Sequence, residues 1–292
     1  MTADSPADAG WFAGLDPEDG EALAASIADG SAPEPADWPA RAVEAGFASD
    51  DEEYYDRLEA ATTAATREAV ERAERADDRQ LVHAVRTMDD CTRTANELAE
   101  RLAEWAGTID PDAGAGVDYA RELAGEEGRV DHPRVRSLAE RIDALADEAE
   151  ALREYVERET PTVAPNLAAL AGPVLAARLI SLAGGLENLA KKPSGTVQVL
   201  GAEDALFAHL RGHASSPKHG IIYTHDAVRG THPDERGSAS RALAGKLAIA
   251  ARVDHYSGER KPELEAELEE RIETIQVRTA DGEDDGNGGD GE

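Results

Sequence analysis

Residues 135–156, VRSLAERIDALADEAEALREYV, decide the fold class. Val135, Leu138, Ile142, Leu145, Ala149, Leu152 and Val156 follow one another in steps of three and four, and charged side chains fill the other positions. A period near 3.5 places all seven on one stripe of a helix, whereas a half-buried strand would alternate by two. Pro133 suits the first turn of that helix, where its missing N–H costs nothing. Upstream, Leu81, Val85, Met88, Cys91, Ala95, Leu98, Leu102 and Trp105 form a second seam with one skipped step. Asp77 and Asp78 are placed to cap its start near Arg79. Gly107–Gly116, with Pro111 and Gly114, separates the two seams. Two seams of similar length across such a break predict an antiparallel coiled-coil hairpin, whose plainest role is a spacer or a dimer arm.

Outward from the hairpin the chain stays helical. Pro161 and Pro165 are expected to end the second arm near residue 160. A nearly uncharged block from Asn166 to Ala190 is apolar on most faces and belongs in a core. Two short β-branched runs, Thr196–Leu200 and Ile221–Tyr223, are the sequence's only strand signals. A long helix opens near Pro233 and runs to about Tyr256. From Glu263 the chain is acidic, and its last dozen residues are of low complexity, so residues 263–292 read as a largely disordered tail. At the other end, residues 1–50 hold two of the three tryptophans and two of the three phenylalanines, with Arg41 as their only base. This unit is either a small domain completed by a partner or a semi-ordered acidic arm. The fold class is therefore all-α, with segments at 1–50, 51–160, 161–262 and 263–292 and at most short strands.

Bulk properties remove several function classes. The net charge of −31, with arginine far outnumbering lysine, fits a protein kept soluble in a salt-rich cytoplasm. A single cysteine, Cys91, excludes a disulfide framework and a multi-thiolate zinc site. The first residues carry no basic and apolar signal pattern, and no run of apolar residues reaches membrane-spanning length, so a cytoplasmic, soluble protein is expected with no membrane partner.

Charge is unevenly placed. All five lysines lie between Lys191 and Lys261, and six of the eight histidines fall in the same stretch. From Gly201 to Lys261 nine lysines and arginines face seven acids, so this segment is +2 in a chain at −31. A segment spared from the acid load fits a surface that must meet an anion, and nucleic acid is the largest candidate. Arg241, Gly245, Ala248 and Arg252 recur at helical spacing and share one stripe, with Leu243, Leu247 and Ala250 on the core side. Arginine suits phosphate because its planar fork binds two oxygens at once. A solvated, alanine-rich helix with scattered charges has the same pattern. His209 and His213 stand at i and i+4, but no HExxH, cysteine pair or well-spaced carboxylate accompanies them, so no metal site is expected. Phosphate-loop, dinucleotide and nucleophile-elbow motifs are missing, and no catalytic residue is assigned.

One stretch carries a family resemblance. The residues Gly201-Ala202-Glu203, Ala205-Leu206-Phe207, Pro217-Lys218-His219-Gly220-Ile221-Ile222, Arg236-Gly237, Arg241-Ala242-Leu243-Ala244 and Lys246 through Asp254 resemble the Nop domain of archaeal and eukaryotic Nop scaffold proteins. The likeness extends upstream through LISLAGGL and LAKKP to Val85–Asp90 and Glu100–Trp105, covering about residues 77–258. It implies a non-enzymatic scaffold of box C/D guide ribonucleoproteins, which direct 2′-O-methylation of ribosomal and transfer RNA. The implied partners are the guide RNA, a kink-turn-binding protein of the ribosomal-protein type, fibrillarin and a second copy of the chain. S-adenosylmethionine would belong to fibrillarin, so no cofactor is expected here. Carried onto this sequence, RNA contacts fall on Lys218, His219, Arg236, Arg241, Lys246 and Arg252. Lys246 lies about 140° around its helix from Arg241 and could instead face a protein partner or tie down a neighbouring helix. Self-association falls on Leu98, Leu102, Leu138, Ile142, Leu145 and Leu152. Trp11, Phe12 and Leu15 are the expected apolar anchor for fibrillarin. Two departures, Asp204 and Ser238, stand where the family commonly has lysine, which lowers positive charge on the expected RNA face. The competing reading is a structural coiled-coil protein whose C-terminal domain binds only protein, and a histidine-metal hydrolase is a distant third.

Overall fold

The computed structural model describes residues 10–30, 36–74, 76–125, 130–213 and 215–284, without the side chains of 72, 73 and 278–284. Among them the regular structure is entirely helical, with fourteen α-helices, a short 3-10 helix and no strand. The chain divides into two compact units, Met1–Ala76 and Asp77–Glu292.

The first unit holds α1 (Gly20–Asp29), α2 (Trp38–Glu44) and α3 (Asp51–Glu74). Each starts on an aspartate that accepts a backbone N–H: Asp19 from Ala22 at 3.1 Å, Asp37 from Ala40 at 3.4 Å and Asp50 from Glu53 at 2.9 Å. These bonds satisfy donors that a helix start otherwise leaves open. The core is aromatic. Phe12 stacks on Phe47 at 5.2 Å, and Trp11 meets Phe47 edge-on at 5.4 Å. The Trp11 indole N–H donates to the Tyr54 hydroxyl at 3.2 Å. Tyr54 and Ala61 of α3 are buried in the same cluster, so α3 belongs to this unit, which ends at Ala76 rather than at residue 50. Phe12 is also corrected as an exposed anchor, because only 2% of it is accessible and it fills this core, with Trp11 and Leu15 half-buried against it.

The second unit begins with the hairpin. Its arms are α4 (Asp77–Gly107) and α6 (Pro133–Val163), with α5 (Gly116–Ala124) packed beside them. Ala95, Ala99, Leu102 and Ala106 bury against Val135, Ala139 and Ile142, and α5 adds Ala120 and Leu123. The seam residues thus close the two arms on each other within one chain. Leu102 and Ile142 are wholly buried, and Leu98, Leu138, Leu145 and Leu152 are half-buried against the internal clusters. As a surface for a second copy the first two are corrected, since exposing them would open the hairpin. The second arm also outlasts Pro161: the helix reaches Val163, where a proline in the last turn removes a single hydrogen bond at an exposed position.

Beyond the hairpin come α7 (Pro165–Ala171), α8 (Pro173–Ala183), α9 (Leu186–Ala190), α10 (Ser194–Val199) and α11 (Glu203–Leu210). A 3-10 helix (Ile221–Thr224), α12 (Asp226–Arg229), α13 (Arg236–Tyr256) and α14 (Glu263–Asp284) follow. Leu167, Leu179, Ile180 and Leu189 pack under α13, whose Leu243, Leu247 and Ala250 are fully buried as its pattern requires. No single described helix is long and apolar enough to cross a membrane; α7 and α8 pass that test together but bend by 117°, and their apolar side chains line this core.

Two expectations change here. The β-branched runs form α10 and the 3-10 helix rather than strands. They still meet through two backbone bonds, Gly220 N–H to Gln198 C=O and Ile221 N–H to Leu200 C=O, both at 2.8 Å. Val197 and Ile222 are fully buried in the helical core, and that burial decides their conformation over β propensity. The acidic tail is a helix as far as Asp284. Leu264, Leu268, Ile272 and Ile275 recur at helical spacing and are buried against the core, so α14 completes the domain. The expected disorder of the final residues falls, for 285–292, outside the described residues.

Candidate nucleic-acid interface

The loop before the 3-10 helix is held by close backbone contact. The Gln198 side-chain amide donates to the Lys218 carbonyl at 2.7 Å, beside the two backbone bonds of Gly220 and Ile221. A Cβ on Gly220 would stand 2.0 Å from the Leu200 carbonyl oxygen, so only glycine fits this approach. Lys218 is left exposed at the rim, with its aliphatic chain over Gly237 at the start of α13.

His219 is part of a stack. Its ring lies 4.5 Å from Tyr223 at 22°, and the Arg236 guanidinium covers Tyr223 at 5.4 Å. Burial, then the charges of Arg236 and Lys218, push the His219 imidazole below its ordinary pKa of 6.5, against the opposing pull of a backbone hydrogen bond. Arg236 donates to the Thr231 carbonyl at 3.1 Å, the Tyr223 hydroxyl at 3.2 Å and the Arg229 carbonyl at 3.3 Å. Its five donors are largely engaged in fixing the turn before α13, which makes it a support of this face more than a free phosphate fork.

On α13 the expected stripe is partly corrected. Arg241 and Arg252 are exposed, but Ala248 is 1% accessible and belongs to the core. Ile249, 42% accessible, takes its place on the open side. Arg241 has no hydrogen bond or ion pair among the described residues. Arg252 donates to the Lys192 carbonyl at 3.3 Å, just past the end of α9, where a cation complements the helix dipole. Lys246 bonds Glu267 of α14 and is turned away from this stripe. Of the six residues read as RNA contacts, Lys218, Arg241 and Arg252 present open charge, His219 a held ring, and Arg236 and Lys246 internal ties.

Three supports of the site escape sequence reading. Asp254, at the far end of α13, is buried and accepts three bonds: the Asn166 amide at 2.6 Å and the backbone N–H groups of Asn166 at 3.0 Å and Leu167 at 2.9 Å. It thereby caps α7 from 88 residues away and locks the angle of α13. Asp78 accepts the Leu186 N–H at 2.8 Å and Arg79 donates to the Gly184 carbonyl at 3.0 Å, which clamps the Gly184–Gly185 turn onto α4. Both glycines have positive φ, +81° and +120°, and a Cβ on Gly185 would meet Asp78 at 3.1 Å. The third is Tyr223, the middle of the His219 stack. Gly-Gly and an aspartate ending an apolar helix are visible signals, but their partners lie far along the chain.

Comparison with known proteins agrees with this architecture. The family model described as Nop, snoRNA binding domain, fibrillarin, matches residues 80–275. An uncharacterized NOP5 family protein of Methanocaldococcus jannaschii is 34% identical over 270 residues, covering 80% of this chain and 65% of that protein. Nucleolar protein 56 of Saccharomyces cerevisiae is 38% identical over 178 residues, covering 60% of this chain and 35% of that protein. The chain therefore spans just under two thirds of the first relative and about a third of the second. A chain in the crystal structure of a fibrillarin/Nop5p complex shares the fold, with a TM-score of 0.53 and 24% identity, over 91% of this chain and 98% of that one. The family match takes in nearly all of the hairpin, α7 through α13 and half of α14, including Asp254, Tyr223 and the Gly184–Gly185 turn: the chain belongs to the Nop family.

Proposed function

We infer that this protein is a scaffold of box C/D guide ribonucleoproteins and not itself a catalyst. It bridges a kink-turn RNA, with its kink-turn-binding protein already seated, to the methyltransferase fibrillarin for guided 2′-O-methylation. S-adenosylmethionine is fibrillarin's cofactor on this reading, and the scaffold binds none. The observation that carries it is the open cationic face of Lys218, Arg241 and Arg252 inside the matched domain, in a chain whose net charge is −31. A phosphate backbone meets such a face through charge and fixes register without reading sequence. The few open cations favour recognition of a preformed RNA–protein surface over RNA alone, since counterion release contributes little at high salt. The first unit is the proposed fibrillarin site. Because Phe12 is core, docking would use the half-buried Trp11 and Leu15 and the exposed Val43 and Tyr55. Self-association would use faces of the hairpin outside its internal seam.

A second reading, a C-terminal domain that binds only protein, is favoured by the internal engagement of Arg236 and Lys246. A native-gel titration at near-native salt decides between the two, with a box C/D kink-turn RNA, its binding protein and the two together as separate arms. A shift with the preformed complex alone is expected. A shift produced by the kink-turn-binding protein without any RNA favours the second reading, and no shift in any arm rejects the scaffold role.

A further inference from the structure

The exposed stripe of α13 does not stop at Arg252. At 100° per residue, Arg241, Gly245, Ile249, Arg252 and Tyr256 lie within about 80° of one another, and the rise from Arg241 to Tyr256 is about 22 Å. Tyr256 is 68% accessible, more than any other aromatic side chain described. It stands at the end of the charged stripe, beside cations rather than alone. Its neighbour His255 meets it edge-on at 4.6 Å, so two exposed rings share the helix end.

The turn after α9 brings lysine to this part of α13. Lys191 and Lys192 follow α9, and the Arg252 bond to the Lys192 carbonyl fixes that turn beside α13. Glu187 pairs with Lys191 at 2.5 Å and Glu259 lies 3.6 Å from Lys261, so these charges cancel in place and Lys192 and Arg252 remain as the cations of this helix end. Lys192 lies outside the +2 segment but extends it.

We propose that Tyr256, His255, Lys192 and Arg252 form a stacking subsite for unpaired RNA nucleotides that leave the phosphate-binding face. Aromatic rings accept any base on their π-faces while flanking cations track the backbone, the combination that single-stranded nucleic acid requires. The proposal rests on the scaffold reading, because the same helix stripe would carry the duplex-proximal phosphates at Arg241.

The test uses the full-length protein at near-native salt. Its probe is a kink-turn RNA bound by its kink-turn-binding protein, either blunt or with an unpaired oligo(A) extension of about eight nucleotides on each end in turn. The wild type is expected to gain about tenfold in affinity from one of the extensions, the size of one stacked base. Tyr256→Ala and Lys192→Glu lose that gain, Tyr256→Phe keeps it, and all bind the blunt complex as the wild type does. The subsite is overturned if neither extension helps the wild type or if Tyr256→Ala retains the gain. It is also overturned if Tyr256→Ala weakens the blunt complex to the same degree, which assigns this face to the bound protein. Binding of extended RNA without binding of the blunt complex keeps the subsite and rejects the scaffold reading, whereas binding of neither rejects both.

Discussion

The solvent face of the hairpin and the face of α13 use arginine in opposite ways. On the hairpin Arg93, Arg101, Arg121, Arg153 and Arg158 each reach a carboxylate of the same unit, so their charge is cancelled where it stands. Such exposed pairs contribute ~0–1 kcal/mol each and less at high salt. On α13, Arg236 and Arg252 instead donate to backbone carbonyls, which fixes the side chain without neutralising it, and Arg241 is left open, whereas Arg229 and Arg260 nearby pair with carboxylates. The difference teaches that the position of a cation in an acidic protein matters less than what its donors face. A carbonyl partner preserves a full positive charge at a chosen place, and a carboxylate partner removes it.

The largest effect that can break this comparison lies in the acid that holds the domain's cations in register. Asp254→Ala strands the donors of Asn166 and the N–H of Leu167, all buried bonds to a carboxylate. It is expected to destabilise the second unit by about 3 kcal/mol. Denaturant unfolding followed by helical circular dichroism at high salt measures this, and a loss below ~1 kcal/mol would mean that α13 is held by apolar packing alone.

Next in size is a matched pair of charge reversals. Arg241→Glu with Arg252→Glu should cost at least about tenfold per reversed charge in binding the RNA–protein complex, or ~1.4 kcal/mol each. Arg101→Glu with Arg153→Glu makes the same net change on the hairpin and should leave affinity within about twofold. Lys246→Gln should also leave it unchanged, because that ammonium belongs to Glu267. Equal losses from both reversal pairs would reduce the face to bulk charge and remove any claim to a site.

The comparison also marks what could be read from sequence. The seam of residues 135–156 predicts its helix because heptad spacing is a local property, and the core positions Leu243, Leu247 and Ala250 follow from their own turn of helix. Ala248 was misplaced because a stripe's edges depend on which neighbour covers them: Ala248 faces the core and Ile249 faces water. The fate of Lys246 turned on α14, which an acidic composition had marked as disordered although Leu264, Leu268, Ile272 and Ile275 form an apolar face. The seam leucines predict burial correctly and leave open whether the partner helix is in the same chain. Asp254 and Asn166, 88 residues apart, could be paired only through the fold.

The smallest effect concerns His219, the one titratable group of the open face that is partly covered. Its pKa is lowered first by burial and then by Arg236 and Lys218, so below the ordinary value of 6.5 the unfolded chain binds a proton that the folded loop resists. Stability from this residue is therefore complete above about pH 6.5 and is lost as pH falls from 6.5 through the lower folded value. His219→Asn removes the titration, so between pH 7 and 5 the wild type should lose more stability than the variant, with the two curves parallel above pH 7. Carboxylates titrate in both proteins and cancel in the difference. RNA phosphate near His219 should act in the reverse sense, favouring the charged ring and raising its pKa, so RNA binding should take up a fraction of a proton near pH 6. Calorimetric titration in two buffers of different ionisation enthalpy detects that uptake. Uptake that persists in His219→Asn would place the responsible group elsewhere and leave His219 as a stacking wall beside Tyr223.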